Sequence, residues 1–193
     1  MSPVNKKLDT YHSVPIFLIE LENSTRSKVI KSQLKTLNKE FTIQRAIKGS
    51  ELSTPLLEKV DLGACKTRLG YEISPQLIGS GLSHMAIYDY AIRQKLKWIM
   101  VLEEDVKIEF EKFFETDLIQ IIKRFESVQQ GIIIQLFSRG TRLTSGFKWK
   151  RFGNHYLFRF LPRLIGSGAP AYLINDKALA MYKKIGKLEG APA

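Results

Sequence analysis

Apolar positions in this chain fall into short unbroken runs, separated by stretches in which they recur every three or four residues. Val14, Ile16, Phe17, Leu18 and Ile19 form the first run and predict a strand buried on both faces. Val29, Ile30, Leu34 and Leu37 follow at helical spacing, with Ser24 or Thr25 as N-cap, and 41–47 reads as a second strand before Lys48, Gly49 and Ser50 turn the chain. Strand, helix, strand is the opening of an α/β sheet. Residues 50–73 have no clear period and predict a loop with one short helix. Ser74 and Pro75 then begin a long helix through Leu77, Ile78, Leu82, Met85, Ala86 and Tyr90, because proline at the first helical position forfeits no hydrogen bond.

Trp98, Ile99, Met100, Val101 and Leu102 form the next buried strand. An amphipathic helix with Phe110, Phe113, Phe114, Leu118, Ile121, Ile122 and Phe125 leads to another strand over 131–136. Residues 171–174 are a last strand, and Asn175 or Asp176 caps a final helix carrying Ala178, Leu179, Met181, Tyr182 and Ile185. The order predicts an α/β fold with a mixed central sheet flanked by helices, as one domain over 1–193.

Composition narrows the class. With 193 residues and 44% apolar content, one core suffices without a metal or disulfide staple. Cys65 is the sole cysteine, so no internal disulfide forms and a reducing compartment is expected for a structural thiol. Residues 1–12 lack the apolar core of a secretory signal, and no window approaches the ~20 apolar residues that span a bilayer. A cytoplasmic protein is expected.

Charge is uneven. Of the net +11, residues 138–193 supply +9, from 11 Lys and Arg against two acids. Such an excess suits an anionic partner: nucleic acid, a membrane surface or a phosphorylated small molecule. Phe147, Trp149, Phe152, Tyr156, Phe158 and Phe160 interleave with those bases, as in a stacking platform for single strands or a hairpin with one aromatic and one basic face.

Three carboxylates, Glu103, Glu104 and Asp105, directly follow a buried strand, where open α/β sheets bind ligands. Strand alternation would put Glu103 and Asp105 on one side, able to share a hard cation such as Mg²⁺ or Mn²⁺, with Glu104 turned away. Their plain alternative is a solvated helix start. His84 lies in the long helix and could donate to phosphate or act as a base, or simply pack. Gly79 and Gly81 in that helix suggest close approach of backbone or ligand. A nucleic-acid groove gains nothing from adjacent carboxylates, so no nucleic-acid partner is expected.

Four segments together resemble glycosyltransferase family 25, the lipopolysaccharide and lipooligosaccharide sugar transferases. They are Ile16 to Leu21 with Ser24, Arg26 and then Ala46 to Gly49; Ile78 to Tyr88; Met100 to Val106; and Gly166 to Ile174. The resemblance implies a GT-A-like fold, a UDP-sugar donor, often UDP-galactose, and inverting transfer to a lipid-linked oligosaccharide at the inner face of a membrane. It implies donor contacts from Glu20, Arg26, Lys48, Ser83, His84, Glu103 and Ser167, and Mn²⁺ or Mg²⁺ on Glu103 and Asp105. Glu104 becomes the candidate general base. Relatives usually carry Asn at position 20 and Asp at positions 48 and 104. They also usually continue further, so a shortened, inactive member is the alternative expectation.

Overall fold

Both faces of the central strands are apolar because helices cover both. The computed structural model describes residues 14–58, 60–108, 118–136, 149–152, 155–158 and 171–188. Its strands are β1 (Ile16–Glu20), β2 (Thr42–Arg45), β3 (Trp98–Glu103), β4 (Ile133–Gln135), β5 (Trp149–Phe152), β6 (His155–Phe158) and β7 (Ala171–Asn175). Its helices are α1 (Lys28–Thr36), α2 (Thr54–Leu57), α3 (Leu62–Leu69), α4 (Pro75–Arg93), α5 (Leu118–Phe125) and α6 (Asp176–Leu188).

Five strands form one sheet in the order β2, β1, β3, β7, β4. β1 pairs parallel with β2 and β3, whereas β7 is antiparallel to both β3 and β4. This is the mixed sheet expected, compatible with a GT-A-like fold. Alternation sorts its side chains. Ile16, Leu18, Met100, Leu102, Ala171 and Leu173 meet Ile30 and Leu34 of α1 and Leu118, Ile121 and Ile122 of α5. Phe17, Ile19, Ile99, Val101, Tyr172 and Ile174 meet Ile87 and Ala91 of α4 and Leu179 of α6 on the other face. A single-residue register slip in β3 would exchange the two sets.

Several boundaries differ from expectation for identifiable reasons. Neither Ser24 nor Thr25 caps α1, which begins at Lys28 behind Ser27; the Ser27 hydroxyl donates to Glu20 instead of capping. Residues 50–73 hold more order than one short helix: a 3₁₀ turn at Gly49–Glu51, then α2 and α3. α3 is defined by its ends, with Asp61 accepting from the Ala64 N–H and Gly70 closing it at φ 78°. Asn175, not Asp176, caps α6. Its Oδ1 accepts from Ala178 and Ile132 and its Nδ2 donates to the Gln130 carbonyl, which joins β4, β7 and α6.

β5 and β6 pair antiparallel as a separate hairpin, with Trp149 opposite Phe158 and Phe152 opposite His155. Phe110, Phe113 and Phe114 lie outside the described residues. Among those described, no helix is long and apolar enough to cross a membrane.

Candidate active site

β1, β2 and β3 end at one rim of the sheet, where β7 begins. That rim gathers Glu20, Arg45, Glu103, Glu104 and Asp105, at the ligand-binding edge of open α/β sheets. The acidic triplet is arranged differently from the strand expectation. β3 stops at Glu103, and the Val106 N–H bonds to the Glu103 carbonyl at 3.2 Å, so Glu104 and Asp105 form the middle of a tight turn. Alternation therefore fails. Glu103 faces α4, with Oε1 3.4 Å from His84 Nε2, while Asp105 joins Glu104 at Arg26.

Arg26 holds both carboxylates of the turn, at 2.6 Å from Asp105 Oδ2 and 3.4 Å from Glu104 Oε1. Glu104 is the buried member, with 6% of its surface exposed. Its Oε2 accepts from the Leu21 N–H at 3.1 Å, which ties the exit of β1 to the exit of β3. With one oxygen on Leu21 and the other on Arg26, Glu104 is poorly placed to take a proton from an acceptor hydroxyl. These contacts tie Glu104, the expected general base, into the turn.

His84 is fixed from its other side by two tyrosines. Nδ1 lies 2.7 Å from the Tyr172 hydroxyl, which in turn lies 2.6 Å from the Tyr88 hydroxyl. The contacts are mutually consistent when Tyr88 donates to Tyr172, Tyr172 donates to Nδ1, and Nε2–H points at the Glu103 carboxylate. Burial, reinforced by Tyr88 and the Glu103 charge, pushes the Tyr172 hydroxyl well above the usual phenol range, so it stays a donor. The sequence placed Tyr172 in the last strand and gave neither tyrosine a role at the site. A hydroxyl in an otherwise apolar strand was the available signal.

Ser83 and Gly79 set how closely α4 approaches the end of β2. Fully buried Ser83 accepts from the Ile47 N–H at 2.8 Å and donates to the Gly79 carbonyl at 2.7 Å. A Cβ on Gly79 would stand 2.3 Å from the Ile47 carbonyl oxygen, and one on Gly49 2.6 Å from the Pro75 carbonyl carbon. Close backbone approach thus explains Gly79, whereas a Cβ on Gly81 meets nothing within 4 Å. Ser83, expected at the donor, has its hydroxyl engaged inside the protein.

Glu20 and Lys48 also have protein partners. Glu20 accepts from Ser27 and Lys31, the latter at 2.6 Å, and Lys48 Nζ lies 3.0 Å from Glu51 Oε1. Arg45, which the sequence did not single out, reaches Glu22 at 2.6 Å and extends this charged rim. Ser167 lies outside the described residues. For Glu20, burial opposes ionisation, but the Lys31 and Ser27 hydrogen bonds and the Lys31 charge outweigh it and lower the pKa below 4.5. A lowered folded value means stabilisation present above the unfolded pKa and lost as pH falls through the folded one. Glu20→Gln should therefore cost about 1–2 kcal/mol at neutral pH. Urea unfolding should show the gap from wild type narrowing below pH 4.5, and a gap independent of pH would contradict the ionic account.

The turn carries hard oxygen donors of the kind Mg²⁺ and Mn²⁺ prefer. Among the described residues, no three His, Cys, Asp or Glu side chains converge into a ready-made cage. Glu103 turns to His84 and Asp105 to Arg26, so the two do not converge on one ion as expected; Asp105 suits a cation held by a single carboxylate and completed by ligand phosphates and water, as is common for Mg²⁺. A recess of about 530 Å³ lies at the opposite, amino end of β3, lined by Lys95, Leu96, Lys97, Asp176, Leu179 and Lys183 among others. It contains none of the rim's acids.

A family model described as Glycosyltransferase family 25 (LPS biosynthesis protein) matches residues 13–185. The chain belongs to this family and is a glycosyltransferase of lipopolysaccharide biosynthesis. No curated protein matches it.

Proposed function

We propose that the chain transfers a hexosyl group, galactose foremost, from a UDP-sugar to a hydroxyl of a lipid-linked oligosaccharide. The observation carrying this reading is the rim itself: the pairs Arg26–Asp105 and His84–Glu103 both stand where β1 and β3 end, at the edge suited to a nucleotide. In an inverting transfer the acceptor oxygen bonds to the anomeric carbon as the bond to UDP breaks, and the hydroxyl proton passes to a base. Arg26 suits a diphosphate because its planar fork matches phosphate geometry. Asp105 would hold Mn²⁺ or Mg²⁺, which when bound neutralises charge on the departing diphosphate. His84, fixed by Tyr172, orients the Glu103 carboxylate.

The +9 of residues 138–193 supports peripheral attachment to an anionic membrane, where a lipid-linked acceptor resides. This account belongs to an active enzyme rather than a shortened, inactive one. A panel of UDP-sugars incubated with the chain and Mn²⁺ tests it through UDP release, which registers transfer and slow hydrolysis alike. Faster consumption of UDP-galactose than of the other sugars is expected. Absence of turnover across the panel would contradict the reading.

A further inference from the structure

Asp105 Oδ2, an oxygen a cation would use, is already in contact with a positive group. Arg26 approaches it at 2.6 Å, shorter than the other contact of the same guanidinium, 3.4 Å to Glu104. The two partners differ in fixity. Glu104 is buried and tied to the Leu21 backbone, whereas the Arg26 side chain is 58% exposed and can swing without opening the core.

We propose that Arg26 and a divalent cation exclude one another at Asp105, so that arrival of the cation releases the guanidinium toward the diphosphate of the nucleotide-sugar. This rests on the donor-site reading above and adds a coupling to it. A cation about 2.1 Å from the carboxylate would lie within a few ångströms of the guanidinium if both stayed on that carboxylate, and like charges so close repel. Glu104 makes release easy. It remains beside the guanidinium as a second acceptor, so its buried carboxylate keeps a positive neighbour through a short swing. Before the cation arrives, Arg26 offsets part of the turn's negative charge; afterwards the cation does so and Arg26 is available to phosphate.

The proposal gives one substitution two opposite effects. Arg26→Gln removes the competing charge, so Mn²⁺ alone, followed by the electron paramagnetic resonance of free Mn²⁺, should bind on the order of tenfold tighter than to wild type. In the same variant, UDP measured calorimetrically with saturating Mn²⁺ should bind roughly tenfold or more weakly, through loss of a charge-assisted bond to phosphate. Arg26→Lys keeps the charge and should leave Mn²⁺ affinity close to wild type. Circular dichroism melts confirm that the compared variants are folded, and a residue that merely braced the turn would weaken both ligands when removed. Unchanged or weaker Mn²⁺ binding by folded Arg26→Gln, with UDP still bound by wild type, would overturn the proposal. Failure of wild type to bind UDP in Mn²⁺ would instead overturn the donor-site reading, whatever the Mn²⁺ titrations gave.

Discussion

Gly79→Ala should destabilise the protein by about 3 kcal/mol, while Gly81→Ala, two residues along the same helix, should be neutral or stabilising by up to about 1 kcal/mol. The contrast follows from what each new methyl meets. At position 79 the Cβ would stand 2.3 Å from the Ile47 carbonyl oxygen, a backbone atom with no rotamer to adopt, and 3.2 Å from the Gly49 nitrogen. Relief requires α4 to move off the end of β2. That motion would strain both bonds of Ser83, since its hydroxyl joins Gly79 and Ile47. At position 81 the methyl enters solvent, and only the helix preference for alanine over glycine remains. Urea unfolding of the two variants beside wild type makes the comparison. Equal effects would show that α4 and the 47–49 segment are not in the contact described.

The sheet was legible because its strands are buried on both faces, so β1, β3 and β7 appear as unbroken apolar runs that little else in a soluble protein produces. α4 was legible through its Ser74 cap and Pro75, and the structure bonds Ser74 Oγ to the Leu77 N–H. Short α2 and α3 have no apolar stripe to reveal them. The site was legible in part: Glu103 and His84 come together as neighbours, at 3.4 Å. Which acids share a side was misread because the strand period was carried one step past Glu103, into a turn whose closing hydrogen bond leaves no trace in the sequence. Tyr172 was legible only as part of a strand, because a long-range pairing of β7 with β3 is what brings its hydroxyl to His84. Arg26 could be matched to a family motif, but its grip on Asp105, 79 positions away, is a property of the folded rim.

The central claim is that the nucleotide binds where β1 and β3 end, with Asp105 carrying the cation-dependent part of its affinity. Two regions offer cationic side chains to an anionic ligand: the rim through Arg26, and the recess at the other end of β3 through Lys95 and Lys183. Asp105→Asn removes one charge of a pair whose arginine is 58% exposed and keeps the shape of the side chain, so its effect on stability should stay at about 1 kcal/mol. Calorimetric titration of UDP with and without Mn²⁺ into wild type, Asp105→Asn and the double variant Lys95→Ala, Lys183→Ala separates the regions. The account predicts that Mn²⁺ strengthens UDP binding at least tenfold in wild type and the double variant, and by much less in Asp105→Asn, as expected when a carboxylate ligand is lost. Full cation dependence retained in Asp105→Asn, or binding abolished by the two lysine substitutions, would contradict it.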